Sequence, residues 1–153
     1  MTKNLDLNGL QSIADNYDLF YIDLWGVIHN GIKLNEKAII VLKELLKKDK
    51  AIVLLTNAPR PNKTVRNFLQ KMGMDQELRD HVFTSGEAAL NYLKKYFLSK
   101  KFYHVGPPRD FDLFNLFENY KSEHIQDREY LLCTGLFDDQ DEDLVFYKNL
   151  FEE

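Results

Sequence analysis

Short apolar runs alternate along this chain with stretches whose apolar residues recur every three to four positions. That alternation restricts the fold more than any other feature. Residues 19–28 read LFYIDLWGVI, and residues 51–55 read AIVLL and end at Thr56-Asn57. Residues 102–105 and 130–133 are further runs of this kind, and 81–84 is a weaker one. Runs that are apolar on both faces and close on polar or glycine residues predict strands of a parallel sheet covered on both sides.

Helical spacing fills the gaps. Asn35 is placed to cap a helix that carries Ala38, Val41, Leu42, Leu45 and Leu46 on one face. After Pro61, Val65, Phe68, Leu69 and Met72 follow a helical stripe, and Gly73 stands where a terminating glycine belongs. Ser85 opens a third helix with Ala88, Ala89, Tyr92, Leu93 and Tyr96. Asp110 or Asp112 opens a fourth with Leu113, Phe114, Phe117 and Tyr120, and a fifth runs from about Asp141 with Leu144, Val145, Lys148 and Phe151. Strand alternating with helix is the pattern of an α/β layered fold. One segment departs from it: Asn30-Gly31, between apolar neighbours, predicts a type I′ β-hairpin flap just after the first strand.

The remaining composition narrows the function class. Apolar residues make up 44% of the 153 positions, enough for a packed core. Net charge is −4, with the acid concentrated in residues 138–153 and no basic stripe, so nucleic acid is not an expected partner. The lysines at 43, 47, 48 and 50 read as a solvated helix face and C-terminal turn. No apolar run approaches the roughly 20 residues that span a bilayer. Residues 1–6 lack a secretory signature. A soluble cytoplasmic protein with no membrane partner is the expectation. Cys133 is the single cysteine, so no internal disulfide can form, and it reads as a buried small hydrophobe. His29, His81, His104 and His124 are too scattered for a zinc spacing. No GxxxxGK[ST] or GxGxxG phosphate loop is present.

Two polar groups sit where ligands bind in open α/β sheets, at the carboxyl ends of strands. Asp23 interrupts the first apolar run, and Thr56-Asn57 closes the second. A carboxylate buried in such a run costs several kcal/mol without a partner, and a metal ion is the usual compensation. The plain alternative is a capping or turn aspartate at a strand end.

These residues resemble a known family. Asp23-Leu24-Trp25-Gly26-Val27-Ile28, a flap, and then Leu54-Leu55-Thr56-Asn57-Ala58-Pro59-Arg60 are similar to the first two motifs of the haloacid dehalogenase superfamily. Val82-Phe83-Thr84-Ser85-Gly86-Glu87-Ala88-Ala89 resembles its class IIA, NagD-like branch. The resemblance implies a Rossmann-like core over residues 1–86, incomplete, and the beginning of an α/β cap over 87–153. It implies a Mg²⁺-dependent phosphohydrolase acting on a small phosphorylated metabolite. Asp23 would be the nucleophile that forms an aspartyl-phosphate. Mg²⁺ would be held by Asp23 and the backbone carbonyl of Trp25. Thr56 and Asn57 would bind the phosphoryl group, Gly26 would permit the turn into the flap, and Arg60 would reach the substrate.

Two departures qualify the resemblance. The superfamily places a second aspartate, its general acid and base, two residues after the nucleophile, and Trp25 stands there. Loss of such a group costs about 10²–10⁴-fold; His29 in the flap is the substitute proton donor to consider. The motif lysine and the acidic cluster that completes the metal site are not recognisable, as expected of an N-terminal part of a longer protein. A competing fit takes Asp138-Asp139-Gln140-Asp141-Glu142-Asp143 as the acidic motif and Lys94 or Lys95 as the lysine. The alternative function is a non-catalytic phosphate- or ligand-binding domain on the same scaffold. A half-sheet would also leave an apolar face and edge exposed, so a homo-oligomer is a further expectation.

Overall fold

The computed structural model describes residues 9–113, 115–137 and 143–152. They form two compact units. One runs to Asn57 and resumes over Asn62–Thr84; the other comprises Ala58–Pro61 and the chain from Ser85.

The first unit holds β1 (Leu19–Asp23), α1 (Glu36–Lys47), β2 (Ala51–Thr56), α2 (Asn62–Lys71), the short α3 (Gln76–Arg79) and β3 (Val82–Thr84). The three strands are parallel in the order β1-β2-β3, with Leu19 opposite Ala51, Asp23 opposite Leu55 and Thr56 opposite Thr84. Both crossovers advance in the same direction across the sheet. Right-handed connections therefore place α1 and α2 on the same face. Burial follows that geometry. Ile52, Leu54, Val82 and Thr84 are buried beneath the helices, together with Leu42, Leu45, Val65 and Leu69 from α1 and α2. Each such aliphatic side chain contributes about 1.5–3 kcal/mol. The opposite face carries Leu19, Tyr21, Leu55 and Phe83, which are 38–67% exposed. Strands buried on both faces, as the apolar runs predicted, are therefore not what this sheet has.

The helix ends follow local chemistry. Asn35 caps α1, its side chain accepting from the Ala38 N–H. Gly73, at φ 88°, ends α2: the Gly73 N–H donates to the Gln70 carbonyl and the Met74 N–H to that of Leu69, a Schellman pair. α1 ends in the same pair of bonds, from Asp49 to Leu46 and from Lys50 to Leu45, but Asp49 holds the left-handed position at φ 56°. A side chain there costs about 1 kcal/mol relative to glycine.

The flap reverses the chain without the expected type I′ turn. His29 bridges Leu34 antiparallel, and only Gly31 of the turn has positive φ. Asn30 instead folds its Oδ1 onto the Ile32 and Lys33 N–H groups, each at 3.0 Å. This side-chain turn competes with a two-residue hairpin.

The second unit carries α4 (Ser85–Tyr96), β4 (Phe102–Val105), β5 (Tyr130–Cys133) and α5 (Leu144–Glu152). β4 and β5 pair in parallel, with Phe102 opposite Tyr130. Leu90, Leu93, Phe102 and Phe117 form the core, with Phe97, Tyr120, Tyr130 and Leu132 packed on it. Among the described residues the fourth predicted helix does not form. Pro108–Leu113 and Glu118–Tyr120 are 3₁₀ turns, in a segment where Asn115 and Asn119 have poor α-helix propensity. Phe117 is nevertheless fully buried, as its spacing suggested; Phe114 lies outside the described residues. Asp143 opens α5, with its Oδ1 accepting from the Phe146 N–H at 2.7 Å. Cys133 is exposed at the end of β5, not buried as expected. Its partial desolvation pushes the thiol up from its ordinary value, the wrong direction for a nucleophile.

The carboxyl ends of β4 and β5 are tied by a 2.8 Å hydrogen bond between His104 Nε2 and Thr134 Oγ1. Burial, with a smaller contribution from Lys121, lowers the His104 pKa to about 4. In the unfolded chain the imidazole ionises near 6.5, so between these values the unfolded state binds more protons. Stability should be full above about pH 6.5 and fall by up to about 3 kcal/mol as the pH drops towards 4. Urea midpoints at pH 7.5, 5.5 and 4.5 check this. His104→Gln should flatten the profile over that window; an equally steep profile in the variant would assign the acid sensitivity to other groups.

Candidate functional site

Asp23 is the last residue of β1, and Thr56 is the last of the neighbouring parallel β2. The strand ends bring Asp23, Thr56 and Asn57 to one cavity of about 470 Å³, also lined by Tyr21, Ile22 and Leu55. Thr56 is buried and Asn57 is exposed. Asp23 is exposed as well, which corrects the expectation of a buried carboxylate: β1 is an edge strand, and Asp23 lies on the uncovered face. The argument from burial cost therefore does not apply to it. Its Oδ1 accepts from the Leu24 N–H at 2.7 Å, which fixes the carboxylate's orientation. Tyr21 was not among the expected residues. The two-residue alternation of a strand puts it on the same face as Asp23, and that signal could have found it.

Beyond β1 the chain winds into a tight turn. The Leu24 carbonyl accepts from the N–H groups of both Ile28 and His29, and Gly26 donates to His29. Gly26 has φ 75°, a conformation that glycine adopts readily. It lines a separate cavity of about 460 Å³ with Val27, His29 and Asn30. The bridge between residues 25 and 29 uses the Gly26 N–H and the Leu24 carbonyl, so the Trp25 carbonyl takes no part in it.

His29 is 7% exposed. Its Nδ1 accepts from the Gly31 N–H at 3.0 Å, which assigns the ring proton to Nε2. Burial lowers its pKa from the ordinary value, and the Asp23 carboxylate partly opposes that shift. His29 is therefore neutral near pH 7 and within electrostatic reach of Asp23. The indole of Trp25 is 64% exposed and meets the His29 ring edge-on at 5.5 Å.

Arg60 belongs to the second unit. It forms an ion pair at 3.7 Å with Asp110, whose carboxylate is buried. Lys94 and Lys95 lie exposed in the last turn of α4, and Asp138–Glu142 fall outside the described residues. Among the described residues, no three His, Cys, Asp or Glu side chains gather as a metal cluster. No helix there is long and apolar enough to cross a membrane.

The description of the haloacid dehalogenase-like hydrolase family matches residues 20–118, more than half of the chain, and the chain belongs to that family. A haloacid dehalogenase-like hydrolase from Brucella suis is similar over 99% of this chain and 55% of its own, at 28% identity and a TM-score of 0.76. A 4-nitrophenylphosphatase from Thermotoga maritima matches 90% of this chain and 51% of its own, at 24% identity and a TM-score of 0.63. A glycerol phosphate phosphatase from Mycobacterium tuberculosis, in complex with magnesium, matches 91% and 42%, at 19% identity and a TM-score of 0.61. Comparison with curated proteins gives no match. The chain spans about half the length of these solved structures. The resemblance to the superfamily, drawn from the motifs, holds, and the fold is also that of a putative NagD protein, matched over 89% of this chain at 24% identity and a TM-score of 0.62.

Proposed function

We propose that this chain carries part of the catalytic core of a phosphohydrolase that cleaves a small phosphorylated metabolite through an aspartyl-phosphate. The observation that supports this most directly is the meeting of Asp23, Thr56 and Asn57 in one cavity at adjacent parallel strand ends. We read the second unit as the opening of a cap, with the core reaching to about residue 86. Neither nucleic acid nor a membrane enters this reading, and the cytoplasm is its proposed setting.

In this mechanism the Asp23 carboxylate attacks phosphorus, the bond to the leaving oxygen breaks, and water then hydrolyses the acyl phosphate. The Leu24 N–H holds Oδ1 and so orients Oδ2 for attack. In this reading the Thr56 hydroxyl and the Asn57 amide would donate to the phosphoryl oxygens. The Asp23 carboxylate and the Trp25 carbonyl are hard oxygen donors of the type Mg²⁺ takes, and they are the residues that would hold it. Bound there, the ion would neutralise phosphoryl charge.

A second reading, phosphate binding without turnover, draws on Trp25 at the position of the family's general acid. Hydrolysis of an aryl phosphate by the full-length protein, with and without Mg²⁺, separates the two. Metal-dependent turnover above background supports the phosphatase; tight phosphate binding with none supports the binding domain.

A further inference from the structure

Trp25 has two properties that rarely coincide: its ring is largely open to solvent, yet its position is fixed. The indole lies against Gly31, where an added Cβ would come within 2.8 and 2.9 Å of two ring carbons. Its edge-to-face partner His29 is itself held edge-on by Phe68 at 5.6 Å. Glycine at 31 thus makes room for the ring, and the flap holds it two residues from Asp23. An aromatic surface ordered in advance loses little entropy when a planar group stacks on it.

We infer that Trp25 is a specificity-determining residue of the phosphatase reading, a platform on which the planar leaving group of an aryl phosphate monoester stacks. The chemistry points to the same substrate class. Tryptophan cannot protonate a departing oxygen. When the phosphorus–oxygen bond breaks, an aryloxide leaves with the electron pair and takes its proton from water. A phenol-type leaving group is acidic enough for that, whereas an alkoxide depends on a general acid. One substitution accounts for both features: it removes the acid and supplies the stacking surface.

The test uses the full-length protein carrying Asp23→Asn, so that ligands bind without turnover, and isothermal titration in Mg²⁺ buffer. The probes are 1-naphthyl phosphate, glycerol 3-phosphate and inorganic phosphate. Adding Trp25→Leu should weaken 1-naphthyl phosphate roughly 10-fold, the range of one aromatic stack. The other two probes should change less than about twofold, a stacking-only effect. Trp25→Phe should restore most of the naphthyl affinity. Both substitutions leave the backbone carbonyl in place, and urea midpoints verify folding. If all three probes weaken together, or none does, the inference is overturned while the phosphate site stands. If inorganic phosphate, which does not turn over, fails to bind the wild-type protein in the same Mg²⁺ buffer, the phosphate-site reading fails and takes this inference with it.

Discussion

Asp23→Asn should reduce phosphate release by the full-length protein at least about 10³-fold, to background, because the substitution removes the attacking oxygen anion. Asparagine has nearly the same volume, and its carbonyl can still accept from the Leu24 N–H, so the urea midpoint should stay where it is. An exposed residue at the end of an edge strand contributes little packing that could be lost. A drop in turnover without a drop in stability is thus the expected signature. If the variant hydrolyses an aryl phosphate as fast as the wild type, Asp23 is not the nucleophile and the aspartyl-phosphate mechanism is wrong.

Gly86→Ala should be strongly damaging to the second unit, lowering stability by about 3 kcal/mol or more. Gly86 is buried in the first turn of α4. A Cβ there would lie 2.3, 2.5 and 2.6 Å from the N, O and C atoms of Arg60. These are backbone atoms, so no rotamer change relieves the overlap. Two bonds hold the same loop close: the Gly86 N–H and the Ser85 hydroxyl both donate to the Ala58 carbonyl, at 3.1 and 3.0 Å. Thermal or urea denaturation measures the loss. An alanine variant within about 0.5 kcal/mol of wild type, the range of neutral surface changes, would mean that this close approach does not exist in solution.

Signals that lie within a few residues of sequence were readable. The apolar runs located all five strands of the described residues, and Asn35 and Gly73 marked helix ends because capping chemistry is local. Asp23 and Thr56-Asn57 could be placed at strand ends for the same reason, and the cavity joins them. What escaped depends on the rest of the fold. Asp49 in a glycine's conformation carries no compositional sign. The exposure of Asp23 follows from β1 lying at the sheet edge and from both crossovers covering one face, neither of which residues 19–28 encode. The pairing of Arg60 with buried Asp110 joins positions far apart in sequence. Around Phe117 the helical spacing was real, yet in a segment carrying Asn115 and Asn119 the backbone forms 3₁₀ turns. There the period identified a core residue and not the element that carries it.

The order of strands in the first sheet also bears on how the chain assembles. β1, β2 and β3 lie side by side in the order in which they are made, so every pairing joins sequence neighbours through one helical crossover. Closing each such loop costs little entropy, and low contact order favours rapid folding. Among the described residues, each strand of this sheet finds its partner in a sequence neighbour. The pair that sets Asp23 beside Leu55 can form as soon as Thr56 has left the ribosome, so the frame of the candidate site is among the first parts of the molecule that can exist.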